Sequence, residues 1–186
     1  MTDDSEVDGL DSLTAQYSLW RGIYARCGKP PRDEPVWQDG ELWLRDGYPN
    51  PDWTAFVIRQ SGNGFDVFQA STERRSEPVL THLGFFARLD DAGKYVIAAI
   101  GDYLRIEKRL DPVSWSWQDQ GLPAEVEEHV SSEARVTYRL RNDHEVYCVL
   151  ALGDKQYSHL LLLTYDELNL LLQEGLAESG DNAVTR

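Results

Sequence analysis

Residues 85–105 constrain the fold more strongly than any other segment of this 186-residue chain. Apolar side chains recur there at steps of three and one residues, which places them on one face of an α-helix. A β-strand would send alternate side chains to opposite faces, so it could not use this pattern. Asp90 or Asp91 can cap the first turn by accepting from its free amide groups. We therefore predict a helix from about residue 90, with Tyr95, Val96, Ala99 and Ile100 buried against the sheet; its apolar face also carries Ala92, Tyr103 and Leu104.

The segments before and after this helix predict a largely antiparallel sheet. The clearest hairpin joins residues 53–59 to 65–70 through Ser61-Gly-Asn-Gly64, because glycine and asparagine tolerate the positive φ of a short turn. A second tight turn, at Asp39-Gly40, divides residues 37–44 into two strands. Further strands are expected over 78–83, 135–140 and 145–152.

Two more helices are predicted near the ends of the chain. Apolar residues repeat at steps of four and three from Leu13 to Cys27, with Trp20 and Tyr24 on the buried face. Gly28 can end this helix in a left-handed cap. A capping box at Thr164–Glu167 opens a last helix, whose inward residues are predicted to be Leu168, Leu171 and Leu172.

The structure of three shorter segments is less clearly indicated by their sequence patterns. Residues 157–163 fit either a buried strand or a short helix, residues 125–129 a short helix or an exposed loop, and residues 115–117 a loop. The whole pattern predicts an α+β fold, with N-terminal, central and C-terminal helices packed on one face of the sheet. We expect a single domain over 10–178, a disordered acidic leader over 1–9 and a frayed tail over 179–186.

The charge of the chain restricts its partners. A net charge of −14 argues against nucleic acid and against an anionic membrane surface, both of which attract basic proteins. It suits a basic protein partner, although acidity also serves solubility alone. The two cysteines, Cys27 and Cys148, lack a metal-type spacing, and the N-terminus has no basic flank or apolar run. These features predict a cytoplasmic protein in a reducing compartment.

The sequence contains no strong catalytic, phosphate-binding or metal-binding motif. The four histidines never fall at i, i+3 or i+4, and neither a phosphate-binding loop nor a nucleophile elbow occurs. We therefore predict no catalytic residue, no metal and no cofactor, and expect His159 to be a hydrogen-bonded structural residue. The alternative is a small-molecule-binding or enzymatic domain that uses a pocket between sheet and helices.

The segment Phe86–Arg105, with Ala92-Gly-Lys-Tyr95 followed by Gly101 and Arg105, resembles the Immunity protein 61 family. Ser158-His159-Leu160 before the last helix is a weaker likeness. The family includes the immunity factor of the tuberculosis necrotizing toxin. The resemblance implies a non-enzymatic protein that binds a cognate toxin domain and blocks its active site, the toxin of that system being an NAD⁺ hydrolase.

The resemblance also implies where such a toxin would bind. A glycine-containing loop of the family occupies the toxin's substrate cleft, and the corresponding position here is Gly101-Asp102, with an acid where the family pattern has a second glycine. Gly101 equally fits a helix cap or a helix interior. As a loop residue, Asp102 would be replaceable by alanine with little change in melting temperature. Trp115 and Trp117 are either core residues or partner anchors, because tryptophan dominates interface hot spots.

Overall fold

The computed structural model describes residues 4–73, 77–132 and 134–176. Its strands form one eight-stranded sheet in which every neighbouring pair is antiparallel, in the order β1-β2-β3-β4-β5-β8-β7-β6. This confirms the predicted α+β class. The strands are β1 (Val36–Gln38), β2 (Glu41–Asp46), β3 (Thr54–Ser61), β4 (Gly64–Ser71), β5 (Val79–Phe86), β6 (Val126–Ser132), β7 (Arg135–Leu140) and β8 (Tyr147–Ala151).

The helices lie against one face of this sheet. They are α1 (Asp4–Arg26), α2 (Leu89–Glu107), α3 (Val113–Gln120), a 3₁₀ helix (Lys155–Leu162) and α4 (Tyr165–Gln173). Their buried side chains join the inward residues of β2–β5 and β6–β8 in one continuous core. Helix α2 is the centre of that core: Val96, Ile97, Ile100 and Leu104 are fully buried.

Several local predictions are confirmed. The β3–β4 hairpin closes through Gly62 and Asn63, and Gly62 has the positive φ that such a turn requires. The capping box is formed in both directions between Thr164 and Glu167. Residues 157–163, left open between strand and helix, lie largely in the 3₁₀ helix.

Other predictions need correction. Helix α1 begins at Asp4, so the leader predicted as disordered over 1–9 is helical from that residue; the predicted tail, 179–186, lies outside the described residues. The acidic segment 125–129 lies largely in a strand, because Glu127 pairs across the ladder with Arg139. Leu171, predicted to face inward, is 37% exposed, and Ala99, predicted to be buried, is only partly buried.

None of the helices in the described ranges is both long and apolar enough to cross a bilayer.

Candidate functional site

Most of the residues that carry the family resemblance are buried. Gly93 faces α1 and α4: a Cβ on it would stand 2.1 Å from the Tyr165 hydroxyl and 2.8 Å from Leu13 Cδ1. A Cβ on Gly101 would stand 2.8 Å from both Cδ atoms of Leu172 in α4. Both glycines therefore allow neighbouring helices to approach α2 closely.

Asp102 and Arg105 fix the elements that follow α2. The Asp102 carboxylate, 6% exposed, accepts from the backbone N–H groups of Val113 at 2.7 Å and Ser114 at 3.1 Å. It caps α3 from a distance, since Pro112 at the N-cap position has no side-chain acceptor. Arg105 donates to the carbonyl oxygens of Asp111 at 2.8 Å and Glu174 at 2.7 Å, so it joins the α2–α3 loop to the end of α4.

The start of α2 is held by a buried charge network. Lys94 Nζ lies 2.7 Å from Asp91 Oδ1, and Arg88 also donates to the Asp91 carboxylate, at 2.7 and 3.0 Å. Lys94 donates further to the backbone oxygens of Leu160 and Leu163 at 2.8 and 2.7 Å. Both charges of the Asp91–Lys94 pair are thereby compensated, as burial requires.

The loop predicted at Gly101-Asp102 is therefore wrong, and the helix-interior alternative is confirmed. Both residues are buried in α2, about one and a half turns before its end at Glu107. Gly101 is present because Leu172 packs where its Cβ would stand. Neither residue lies at the protein surface, so neither can enter a partner's cleft in this conformation.

The two candidate tryptophans have different environments. Residues 115–117 lie in α3 rather than in the predicted loop, so Trp115 and Trp117 do not share one face. Trp117 is 4% exposed and stacks on His159 at 5.8 Å, while His159 Nε2 lies 2.8 Å from the Gly121 oxygen. This confirms the structural role predicted for His159. Trp115 is 59% exposed and lines a groove of about 530 Å³ between α3 and α4.

The outer face of the sheet carries a second, smaller apolar cluster. Ala55, Val57 and Ala70 are buried there beneath Trp43, Trp53 and Phe68. The described helices contribute no residue to this cluster. The half-buried aromatic rings are thus the outermost layer of this face in the part of the chain that the structure describes.

Arg45 is stacked among three aromatic rings on this face. Its guanidinium carbon lies 5.4 Å from the ring centre of Trp43, 4.7 Å from that of Tyr48 and 5.7 Å from that of Trp53. The rings contact one another edge-on, at 6.3 Å for Trp43–Trp53 and 5.7 Å for Tyr48–Trp53. Cation–π attraction and ring packing both favour this arrangement. We call Trp43, Arg45, Tyr48, Trp53 and Phe68 the aromatic platform.

Paired polar groups border the platform. Arg59 stacks on Phe68 at 4.7 Å and forms an ion pair with Glu41 at 2.5 Å. His82 lies between Asp66 and Arg135, 2.7 Å from each. Because a guanidinium has no acceptor, Nδ1 of the histidine accepts from Arg135 and Nε2 donates to Asp66.

Two further features, a groove and a buried thiol, do not form sites of chemistry. A groove of about 360 Å³ between the helices and the sheet contains Arg32 and Asp46, but these groups are already paired at 2.9 Å. Burial raises the pKa of the Cys148 thiol, the opposite of what a nucleophilic cysteine needs. The described residues contain no cluster of three potential metal ligands.

The aromatic platform was not predicted from the sequence. Its members come from β2, the β2–β3 connection and β4, so no single motif contains them. The available signal was the alternation in β2, which places Trp43 and Arg45 on the face opposite to Leu42 and Leu44. That alternation indicates that the outer face of β2 carries an aromatic side chain next to an arginine.

The chain matches no protein-family model, and no curated protein matches it. Among solved structures, it is similar to Rv3902c from M. tuberculosis, with a TM-score of 0.56 and 16% sequence identity. The match covers 87% of this chain and 89% of that one. At this identity the likeness shows a shared fold, which extends over nearly the whole of both chains.

Proposed function

We propose that this protein is an immunity protein that binds a cognate bacterial toxin domain and inhibits it through the aromatic platform. The observation that carries this proposal is the platform itself: a contiguous group of half-buried aromatic rings around one arginine, on a sheet face that none of the described helices covers. Tryptophan, tyrosine and arginine are the residues that supply most binding energy in protein interfaces.

The construction of the platform favours tight binding. Trp43, Tyr48 and Trp53 hold one another and Arg45 in place before any partner arrives. Side chains that are already ordered lose little conformational entropy on association. The polar pairs around the rings supply the kind of rim that surrounds the apolar centre of an interface.

The choice of an immunity function rests on the resemblance of Phe86–Arg105 to the Immunity protein 61 family, and the target it implies is an NAD⁺-hydrolysing toxin. Because Gly101 and Asp102 are buried, we place the toxin contact on the platform instead of on these residues. The net charge of −14 suits a basic toxin, whose approach it would accelerate.

The test is co-expression with a candidate cognate toxin, an NAD⁺-hydrolysing bacterial toxin domain, with cell survival and NAD⁺ hydrolysis as the two measurements. The parent protein should protect cells and inhibit the purified toxin. Trp53→Ala removes a ring from the platform and should weaken inhibition by at least about tenfold, as at an interface hot spot. Trp115→Ala is the matched control, since it removes an exposed indole from the helical side.

Two results would count against the proposal. Loss of protection with Trp115→Ala but not with Trp53→Ala would move the contact to the groove between α3 and α4. Death of cells that contain both the toxin and the folded parent protein would contradict the proposed immunity function. In that event, the groove beside Arg32 and Asp46 becomes the place to search for a small ligand.

A further inference from the structure

Arg45 is distinguished from the other described basic residues by its partners. Eight arginines and lysines have a carboxylate within 4 Å, as expected in a chain with 32 acidic residues. Seven described arginines and lysines have no such carboxylate among the described residues, and Arg45 is the one of the seven whose guanidinium lies over aromatic rings. An aromatic ring attracts a cation but does not cancel its charge.

Arg59 provides the comparison within the same face. Both arginines stack on an aromatic ring at 4.7 Å, Arg59 on Phe68 and Arg45 on Tyr48. Arg59 forms an ion pair with Glu41, whereas the hydrogen bond of Arg45 is a 3.3 Å contact from Nη2 to the exposed amide oxygen of Gln38. The same outer face therefore holds one arginine whose charge is matched and one whose charge is not.

The hydrogen-bonding capacity of Arg45 is also only partly used. In the described part of the chain its terminal nitrogens make one hydrogen bond, the exposed 3.3 Å contact to Gln38, while its Nε is buried and out of a partner's reach. The three rings restrict the guanidinium to one orientation, which lowers the entropic cost of binding a planar anion. A carboxylate is the planar acceptor whose geometry matches a guanidinium.

We propose that Arg45 is the binding site for a carboxylate side chain of the protein partner, a step that rests on the proposed function. The partner's aspartate or glutamate would complete the ion pair that the chain's own acids leave unmade. The acidic surface as a whole would steer a basic partner, while Arg45 would fix its orientation through one acidic residue.

The site can be tested without the partner. The probe is N-acetyl-aspartate methylamide, which carries one carboxylate, and the matched control is N-acetyl-asparagine methylamide, its neutral analogue. NMR signals of the Trp43 and Trp53 indole N–H groups report binding next to Arg45. We expect saturable shifts with the aspartate probe at about millimolar affinity, and none with its analogue.

Two variants locate the effect. Arg45→Gln should lower the affinity for the aspartate probe by at least about tenfold, which corresponds to the loss of one charge-assisted contact. Arg59→Gln, on the same face, should leave the affinity unchanged, because that arginine already has its carboxylate. If Arg45→Gln fails to fold, Arg45→Lys keeps the charge without the planar fork and should also bind more weakly than the parent.

The outcomes separate this site from the proposed function. Absence of saturable shifts in the parent protein, or equal binding by parent and Arg45→Gln, would overturn the carboxylate site even if a toxin is bound tightly. If the protein binds the carboxylate probe at Arg45 but does not inhibit the toxin, the result supports the carboxylate site and contradicts the proposed immunity function.

Discussion

Replacing Asp102 by alanine removes the carboxylate that holds the start of α3. Two backbone N–H groups, those of Val113 and Ser114, lose their acceptor in a region that is at most 9% exposed. Loss of a helix cap costs about 1 kcal/mol, and each buried N–H without a partner about 1–3 kcal/mol. Because these effects overlap, we expect about 3 kcal/mol less stability. That loss would lower the melting temperature of a chain of this size by about 6–12 °C.

The assay is thermal and urea unfolding of the purified variant, followed by tryptophan fluorescence, since Trp115 and Trp117 lie in α3. Asp102→Asn keeps one acceptor oxygen and should lose less stability than Asp102→Ala. Asp119→Ala is the control, because it makes the same change at an exposed position of the same helix. A melting temperature of Asp102→Ala equal to that of the parent would refute the capping role and restore the idea of a replaceable loop residue.

Three further predictions follow from the packing and the titrating groups. Gly93→Ala should destabilise the protein by about 1–2 kcal/mol in urea unfolding. The overpacking against Tyr165 and Leu13 destabilises the fold by more than the higher helix propensity of alanine stabilises it. The control is Gly22→Ala, which should be neutral or stabilising because a Cβ there meets only the flexible end of an arginine, at 3.4 Å. If Gly22→Ala were destabilised and Gly93→Ala were not, the close packing assigned to Gly93 would be wrong. Glu167→Ala breaks the capping box and should cost about 0.5–2 kcal/mol, and an unchanged urea midpoint would show that the box does not stabilise α4. Burial raises the pKa of Tyr17 and Tyr24 from 10.0 to about 12, so the folded state retains protons that the unfolded state loses. Stability should therefore be at its full value below pH 10 and fall as the pH rises from about 10 towards 12, and urea midpoints that stay constant over that range would contradict the shift.

The sequence predicted those elements whose signals are local. The apolar face of α2 and the β3–β4 hairpin each follow from residues within about twenty positions. The acidic strand β6 was missed because its partner Arg139 lies twelve residues from Glu127 and appears opposite it only after the strands pair. Helix α3 was missed because its cap, Asp102, belongs to the preceding helix.

The candidate site was less predictable than the fold. A motif read as a partner-binding loop is a set of interior contacts, in which Gly101 admits α4 and Arg105 binds its last carbonyl groups. A glycine followed by an acid has the same appearance in a loop and in a tightly packed helix. The aromatic platform arises from β2, β4 and the β2–β3 connection, so only the strand register brings its rings together.

The most direct test of the platform as the toxin-binding face is an NMR titration of the indole N–H signals with a toxin domain that the protein inhibits. Trp43 and Trp53 lie in the platform, whereas Trp115 lies on the helical side at 59% exposure. We predict that the signals of Trp43 and Trp53 shift at stoichiometric toxin while that of Trp115 stays in place. A shift confined to Trp115, or no change in any indole signal, would contradict the account.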